Sequence, residues 1–333
     1  MHTSPRSTVL TVAAMLLAAV GCTTDAGSPA QVSQPVADAG RVMFQGQGPT
    51  HLLVVQATLD GSDIRFPLED LPGGDQTNPD WSPLGDRMVF VVNDGARDDL
   101  WIANADGSEP RMLLDCRDEC RFLDDPAWSP NGAEIVYSRR TVRGRDELGS
   151  LETIDVATGR VTVILPLRFR TFTAGARWSP FGSHIVYESV HTVSRRVDAE
   201  VDGVSLRIAT PGSHVPGPAL TEPSLFAATA DWSPDGRQIA YSSLARPDSE
   251  ASDLFLIPAG GGEPRPLTHL ADAGGFAQEP DWQGDGESIV FSGRLADRAG
   301  SAVLLEVPAD GGTPADLGLR AVIGRHPRVE PGA

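Results

Sequence analysis

Beyond residue 40, apolar and polar positions alternate with a period of two over many short runs. They include "RMVF" from Arg87, "EIVY" from Glu134, "HIVY" from His184, "QIAY" from Gln238 and "SIVF" from Ser288. Such alternation predicts half-buried strands. Each run follows a turn signal. Four of the turns read Ser-Pro-x-Gly. Pro83, Pro130, Pro180 and Pro234 preset φ for a type I turn, and Gly85, Gly132, Gly182 and Gly236 can take the left-handed conformation that follows it. A type I turn closed by such a glycine is a common three-residue hairpin loop. The fifth copy, "PDWQGDGESIVF" from Pro280, keeps the glycine without the proline. A tryptophan precedes every one of these turns.

Those tryptophans are Trp81, Trp128, Trp178, Trp232 and Trp282, spaced 47, 50, 54 and 50 residues apart. A repeat near 50 residues marks an array of like units. A second phrase follows each hairpin, as in "LWIANADGSEPRMLL" from Leu100 and "LFLIPAGGGEPRPLT" from Leu254. It reads as strand, glycine turn, strand. One repeat is therefore four antiparallel strands, the blade of a propeller. A further copy of strands two to four begins at Arg41 with "RVMF" and "LLVVQATLDGSDIRFPL". The expected fold is all-β: a six-bladed β-propeller of four-stranded antiparallel blades over residues 41–333, preceded by a signal peptide and a disordered tether. Blade one lacks an inner strand at its N-terminal side, which would leave an open sheet edge. In the tail "HPRVEPGA", Pro327, Val329, Glu330 and Pro331 stand where other copies have Pro, Trp, Ser and Pro. The tail is expected to complete blade one, residues 29–39 being the other segment that could fill the gap. The tryptophans are expected between neighbouring blades as the repeat core.

The Pro-x-Trp-Ser-Pro-Asp-Gly hairpin followed by a glycine-turn strand pair resembles the TolB-like propeller repeats, also called WD40-like or PD40 repeats. The resemblance covers about 290 residues. It implies the propeller fold and leaves function open. Propellers of this kind also occur fused to serine peptidases, and no such catalytic domain is found here.

The first 21 residues form a signal-like segment with one arginine and an apolar run from Val9 to Val20, too short to cross a bilayer. It ends in Ala19-Val20-Gly21-Cys22, which resembles a bacterial lipobox. The resemblance implies lipidation of Cys22. An ordinary signal with a coincidental cysteine is the other reading. Residues 22–40 would be the lipidated cysteine and a polar linker. The implied location is exported and anchored to the cell envelope, on the periplasmic side of the outer membrane in a Gram-negative cell. From Cys22 onward the chain has 26 arginines against 45 acids, a formal charge of −19, and no lysine. That balance argues against nucleic acid as a partner. The lack of lysine excludes a P-loop lysine, a Schiff base and a Ser-x-x-Lys nucleophile.

Nucleophile elbows, His-Glu-x-x-His and EF-hand loops are all missing from the sequence. Cys116 and Cys120 suit a short disulfide staple in an exported chain. A metal site is the weaker alternative. Asp80, Asp231 and Asp281 each precede a tryptophan and could converge on the channel. They are weak candidates for a cation site or acceptors of backbone hydrogen bonds. No other cofactor is expected. The hairpin turns should share one face, with the variable loops and the links between blades, including 211–229, on the other. Arg139, Arg140, Arg143, Arg145, Arg168, Arg170, Arg195 and Arg196 fall in variable segments of blades three and four. They are candidate contacts for an anionic partner. The expected function is a non-catalytic, monomeric envelope lipoprotein that binds a protein, peptide or envelope polymer through this face. The alternative is a lyase or hydrolase with its site at the channel mouth.

Overall fold

A computed structural model describes residues 40–117, 120–197, 199–244, 251–295, 302–319 and 325–332, with the side chains of residues 167 and 169 left aside. Cys22 and the linker lie outside these residues. The ring begins with β1 (Arg41–Gln47) and β2 (Leu52–Thr58). Blade two is β3 (Asp75–Trp81), β4 (Arg87–Asn93), β5 (Asp98–Asn104) and β6 (Arg111–Leu114). Blade three is β7 (Cys120–Trp128), β8 (Glu134–Arg143), β9 (Asp146–Asp155) and β10 (Val161–Phe169). Blade four has β11 (Thr171–Trp178), β12 (Ile185–Thr192) and β13 (Val201–Ala209). Blade five is β14 (Ala228–Trp232), β15 (Gln238–Leu244), β16 (Ser252–Pro258) and β17 (Arg265–Pro266). Blade six is β18 (Phe276–Trp282), β19 (Ser288–Arg294), β20 (Val303–Pro308) and β21 (Ala315–Asp316). The last strand is β22 (Arg325–Val329).

Every sheet is an antiparallel meander, and the six sheets make the propeller. In blades one and four the fourth strand shrinks to single bridges, Gln56↔Arg65 and Arg207↔Ala219. The tail closes the ring: β22 pairs with β1 as the inner strand of blade one, with Val42 opposite Val329. That register copies Met88 opposite Trp81 in blade two, so Val329 occupies the tryptophan position.

The tryptophans wedge between blades. Trp128 packs on Val89, Leu100 and Ile102 of blade two. Trp282 packs on Leu254 and Leu256 of blade five, and Val329 on Val290 and Leu304 of blade six. Each buried indole contributes several kcal/mol, at roughly 25 cal/mol per Å². The hairpin glycines sit at φ 68 to 84 degrees from Gly85 to Gly332. A Cβ on Gly132 or Gly182 would meet the preceding blade's Pro83 or Pro130 at 3.4 and 3.3 Å. The four Ser-Pro-x-Gly turns thus form an arc in which each proline abuts the next blade's glycine, ending with Pro234 at Gly286.

Strand direction sorts the loops onto two faces. The hairpin turns lie on the turn face; the links between blades and the loops joining second to third strands lie on the variable face. One expectation is corrected. Thr210–Gly217 follows the third strand of blade four, so this part of the segment 211–229 emerges on the turn face.

Candidate functional site

The channel is lined by a column of equivalent residues, one per blade, just before each tryptophan position. They are Arg328, Asp80, Ala127, Arg177, Asp231 and Asp281. Where the residue is aspartate, its carboxylate accepts the main-chain N–H of the next blade's tryptophan position. Asp80 takes that of Trp128 at 2.8 Å, Asp231 that of Trp282 at 2.9 Å, and Asp281 that of Val329 at 2.7 Å. Where the residue is arginine, its carbonyl accepts the next indole N–H instead: Trp81 donates to Arg328 at 3.0 Å and Trp232 to Arg177 at 3.2 Å. Arg328 also lies 3.5 Å from both Asp80 and Asp281. Burial pushes Asp80 and Asp231 up to about 6. It also raises Asp281, with the Asp231 charge adding to the effect. These three acids are therefore inter-blade braces, sharing two arginines. Among the described residues no three His, Cys, Asp or Glu side chains are placed to share a metal ion.

A second girdle lies two residues earlier. Asn78, Asp125, Gly175, Thr229, Glu279 and His326 all have φ between 48 and 57 degrees. Each sits in a bulge where the inner strand slips register against its neighbour. A bulge kinks the strand and turns its side chain along the channel. Side chains again hand over to the next blade: Asp125 accepts the Gly175 N–H at 2.9 Å, Thr229 that of Glu279 at 3.0 Å, and Glu279 that of His326 at 2.8 Å. Gly175 has no side chain to offer, and Glu188 supplies the acceptor for the Thr229 N–H at 2.7 Å. A Cβ on Gly175 would lie 2.3 Å from the Glu188 carboxylate, so the glycine makes that substitution possible. Burial lifts Glu188 to about 8 and Asp124, beside Asp125, to about 7.

The bulge girdle narrows the channel to a cavity of about 10 Å³. Toward the turn face it widens to a depression of about 240 Å³, lined by Asp80, Asp231, Asp281, Arg177 and three tryptophans. This depression opens on the turn face, away from the variable loops.

The candidate arginines divide into two kinds. Arg140 is buried, with its guanidinium 4.7 Å from the Phe122 ring and 5.0 Å from that of Phe172, and with Glu147 at 3.7 Å. It joins blades three and four, and its burial corrects its place among surface contacts. Arg139 is half-buried toward Glu152. Arg143, Arg145, Arg195 and Arg196 are exposed at the loop tips, as are Arg168 and Arg170 nearby. The two tips are joined across the blades. Glu147 N–H donates to Arg195 O at 2.9 Å and Val197 N–H to Arg145 O at 3.0 Å, with Arg195 also 3.3 Å from Asp146. Cys116 and Cys120 are disulfide-bonded on the link between blades two and three. The channel arginines, Glu188 and the bulge girdle went unnoticed in the sequence. Their signal was the shared offset from each tryptophan.

These features define a TolB-like six-bladed propeller with a charged, narrow channel. No family model matches the chain. A Tol-Pal system protein TolB from Albidiferax ferrireducens is 33% identical over 134 residues, 38% of this chain and 28% of that protein. The chain thus spans under a third of the length of the curated relatives it matches. Among solved structures, TolB from Acinetobacter baumannii superposes with a TM-score of 0.64 at 18% identity, over 89% of this chain and 68% of that one. An oligogalacturonate lyase in complex with manganese superposes with a TM-score of 0.55 at 16% identity, over 84% of this chain and 74% of that one.

Proposed function

We propose that the chain is a non-catalytic, lipid-anchored envelope scaffold whose variable face binds an anionic protein segment, peptide or polymer. The observation that carries the reading is the junction of two arginine-bearing loops across blades three and four. Main-chain hydrogen bonds hold Arg143, Arg145 and Arg196 on one stitched ribbon. Guanidinium groups suit bidentate capture of carboxylate or phosphate. Arg143, Arg145 and Arg196 stand exposed beside Asp146, Glu147 and Glu200, so a partner would be met by individual guanidinium groups whose layout favours one orientation of approach. Likeness to Tol-Pal system proteins supports an envelope role. The competing reading, a lyase or hydrolase at the channel mouth, draws on the likeness to oligogalacturonate lyase.

The test measures binding of labelled poly-glutamate and of polygalacturonate across a salt series. Retention should fall as salt rises, and should weaken when Arg143, Arg145 and Arg196 are changed together to Ser, with the melting temperature unchanged. Binding indifferent to both salt and substitution removes the ribbon from consideration. Cleavage of polygalacturonate would establish the enzymatic reading instead.

A further inference from the structure

The five hairpin turns provide an internal comparison. At the position between proline and glycine, blade three has Asn131 and blade five Asp235; blade six has Asp285 at the equivalent place. Each supports its own turn. Asn131 accepts the Ala133 N–H at 3.0 Å, Asp235 the Arg237 N–H at 3.0 Å and Asp285 the Glu287 N–H at 2.8 Å. Blades two and four give up this bond and carry Leu84 and Phe181, which point into solvent. Among the described residues, the three most exposed large apolar side chains are Leu84 at 83%, Phe181 at 74% and Val215 at 65%. All three lie on the turn face, on blades two and four. Phe181 touches the next turn, where a Cβ on Gly236 would meet its ring at 3.0 Å, yet most of it stays exposed; an aspartate or asparagine would hold the turn better.

The same half of the face has uncharged tips at Leu84, Asn131 and Phe181. The other half carries Asp235, Asp285 and Glu330. The chain also enters the ring here. β1 starts at the turn face, where Arg41 O accepts the Glu330 N–H at 2.8 Å. The Glu330 side chain would lie 3.1 Å from a Cβ on Gly85, next to Leu84. Cys22 stands 18 residues before Gly40, a reach of at most about 60 Å fully extended.

From the three apolar tips and the point of chain entry we infer that the turn face of blades two to four rests on the bilayer, with Leu84, Phe181 and Val215 entering its headgroup region. The inference rests on the proposed lipid anchor at Cys22. Isolated apolar tips on short rigid turns suit shallow insertion beside a covalent lipid anchor, where they fix the orientation of the domain. The charged hairpin tips of blades five and six, Asp235 and Asp285, favour a tilt that lowers the uncharged tips of blades two to four. The variable face, with its arginine ribbon, then points away from the lipid.

The full-length acylated protein is reconstituted into phosphatidylcholine–phosphatidylethanolamine vesicles. Single cysteines at Leu84, Phe181 and, on the variable face, Glu200 carry an environment-sensitive fluorophore; Cys116 and Cys120 are bonded to each other. Spin-labelled lipid should quench the probes at 84 and 181 several-fold more than the probe at 200. A probe at Asn131 should lose its quenching when Leu84→Ser, Phe181→Ser and Val215→Ser are combined, although the protein still floats with the vesicles. Equal quenching at 84 and 200, or none at 84 in floating protein, overturns the inference while leaving the anchor intact. A concentration-dependent blue shift at 84 without quenching also overturns it, and assigns the face to a second copy of the chain. Protein that does not float refutes the anchor, and this inference with it.

Discussion

Gly175 and Glu188 act as one unit in two pieces. Five blades place a side chain at the bulge and the fourth does not, so an acceptor is borrowed from β12, where the carboxylate is buried and accepts the Thr229 N–H. Burial is the main reason Glu188 is lifted to about 8 and Asp124 to about 7. A carboxyl that holds its proton more tightly folded than unfolded adds stability below its unfolded value and loses it as pH rises through the folded one. These two groups should therefore make the domain less stable at about pH 8 than at about pH 5. Glu188→Gln keeps an oxygen for Thr229 and removes the ionisation. Its melting temperature at about pH 8 should exceed the parent's by about 2–4 °C, and its fall between the two pH values should be smaller. His191, lowered by burial, pulls the other way, but equally in both proteins. Identical pH profiles would show that Glu188 ionises in place without penalty.

At the scale of elements, ring closure depends on one short strand. β22 contributes Val329 to the core, its backbone to β1, and Arg328 to two carboxylates from opposite sides. Removing residues 325–333 leaves Asp80 and Asp281 buried without that guanidinium, and losing one partner of a buried ion pair costs about 3–5 kcal/mol. The truncated protein should melt at least about 10 °C lower, or without a cooperative transition; an unchanged melt would mean that blade one holds without its inner strand. Arg328→Met isolates the charge contribution and should lower the melting temperature by less than the truncation does. The closing strand was legible because Pro327 and Pro331 keep the repeat spacing after the tryptophan is lost. The hairpins were legible because proline and glycine act locally. The bulge girdle was not: Asn78, Asp125, Gly175 and His326 are types that accept left-handed backbone, but Thr229 and Glu279 are not, and the ring imposes that conformation on them. Asp80, Asp231 and Asp281 were legible as backbone acceptors, but the arginines that share their column, Arg177 and Arg328, were hidden for the same reason. Each residue serves its neighbour in the next blade, about 50 positions away.

For the whole molecule, charge and the proposed attachment divide the two faces. An acid-rich surface with one stitched arginine ribbon should bind anions only locally, and salt should weaken that binding without affecting the fold. Changing Cys22 to Ser should abolish incorporation of a palmitate analogue and release the protein from membranes; label retained on the Ser variant would refute the lipobox reading. The site of attachment has a mechanical consequence. The chain enters through β1, the middle strand of its sheet, with β2 paired from Arg41↔Thr58 to Gln47↔Leu52 on one side and β22 on the other. A pull along the tether loads both ladders lengthwise, in shear, so many hydrogen bonds must fail together. The same force applied at the other end of the chain, which leaves the ring beside Arg41, would load β22 against β1 alone, one ladder instead of two. An envelope protein held through Cys22 would thus carry its load on the strand least able to unzip, and the ring would stay closed under tension.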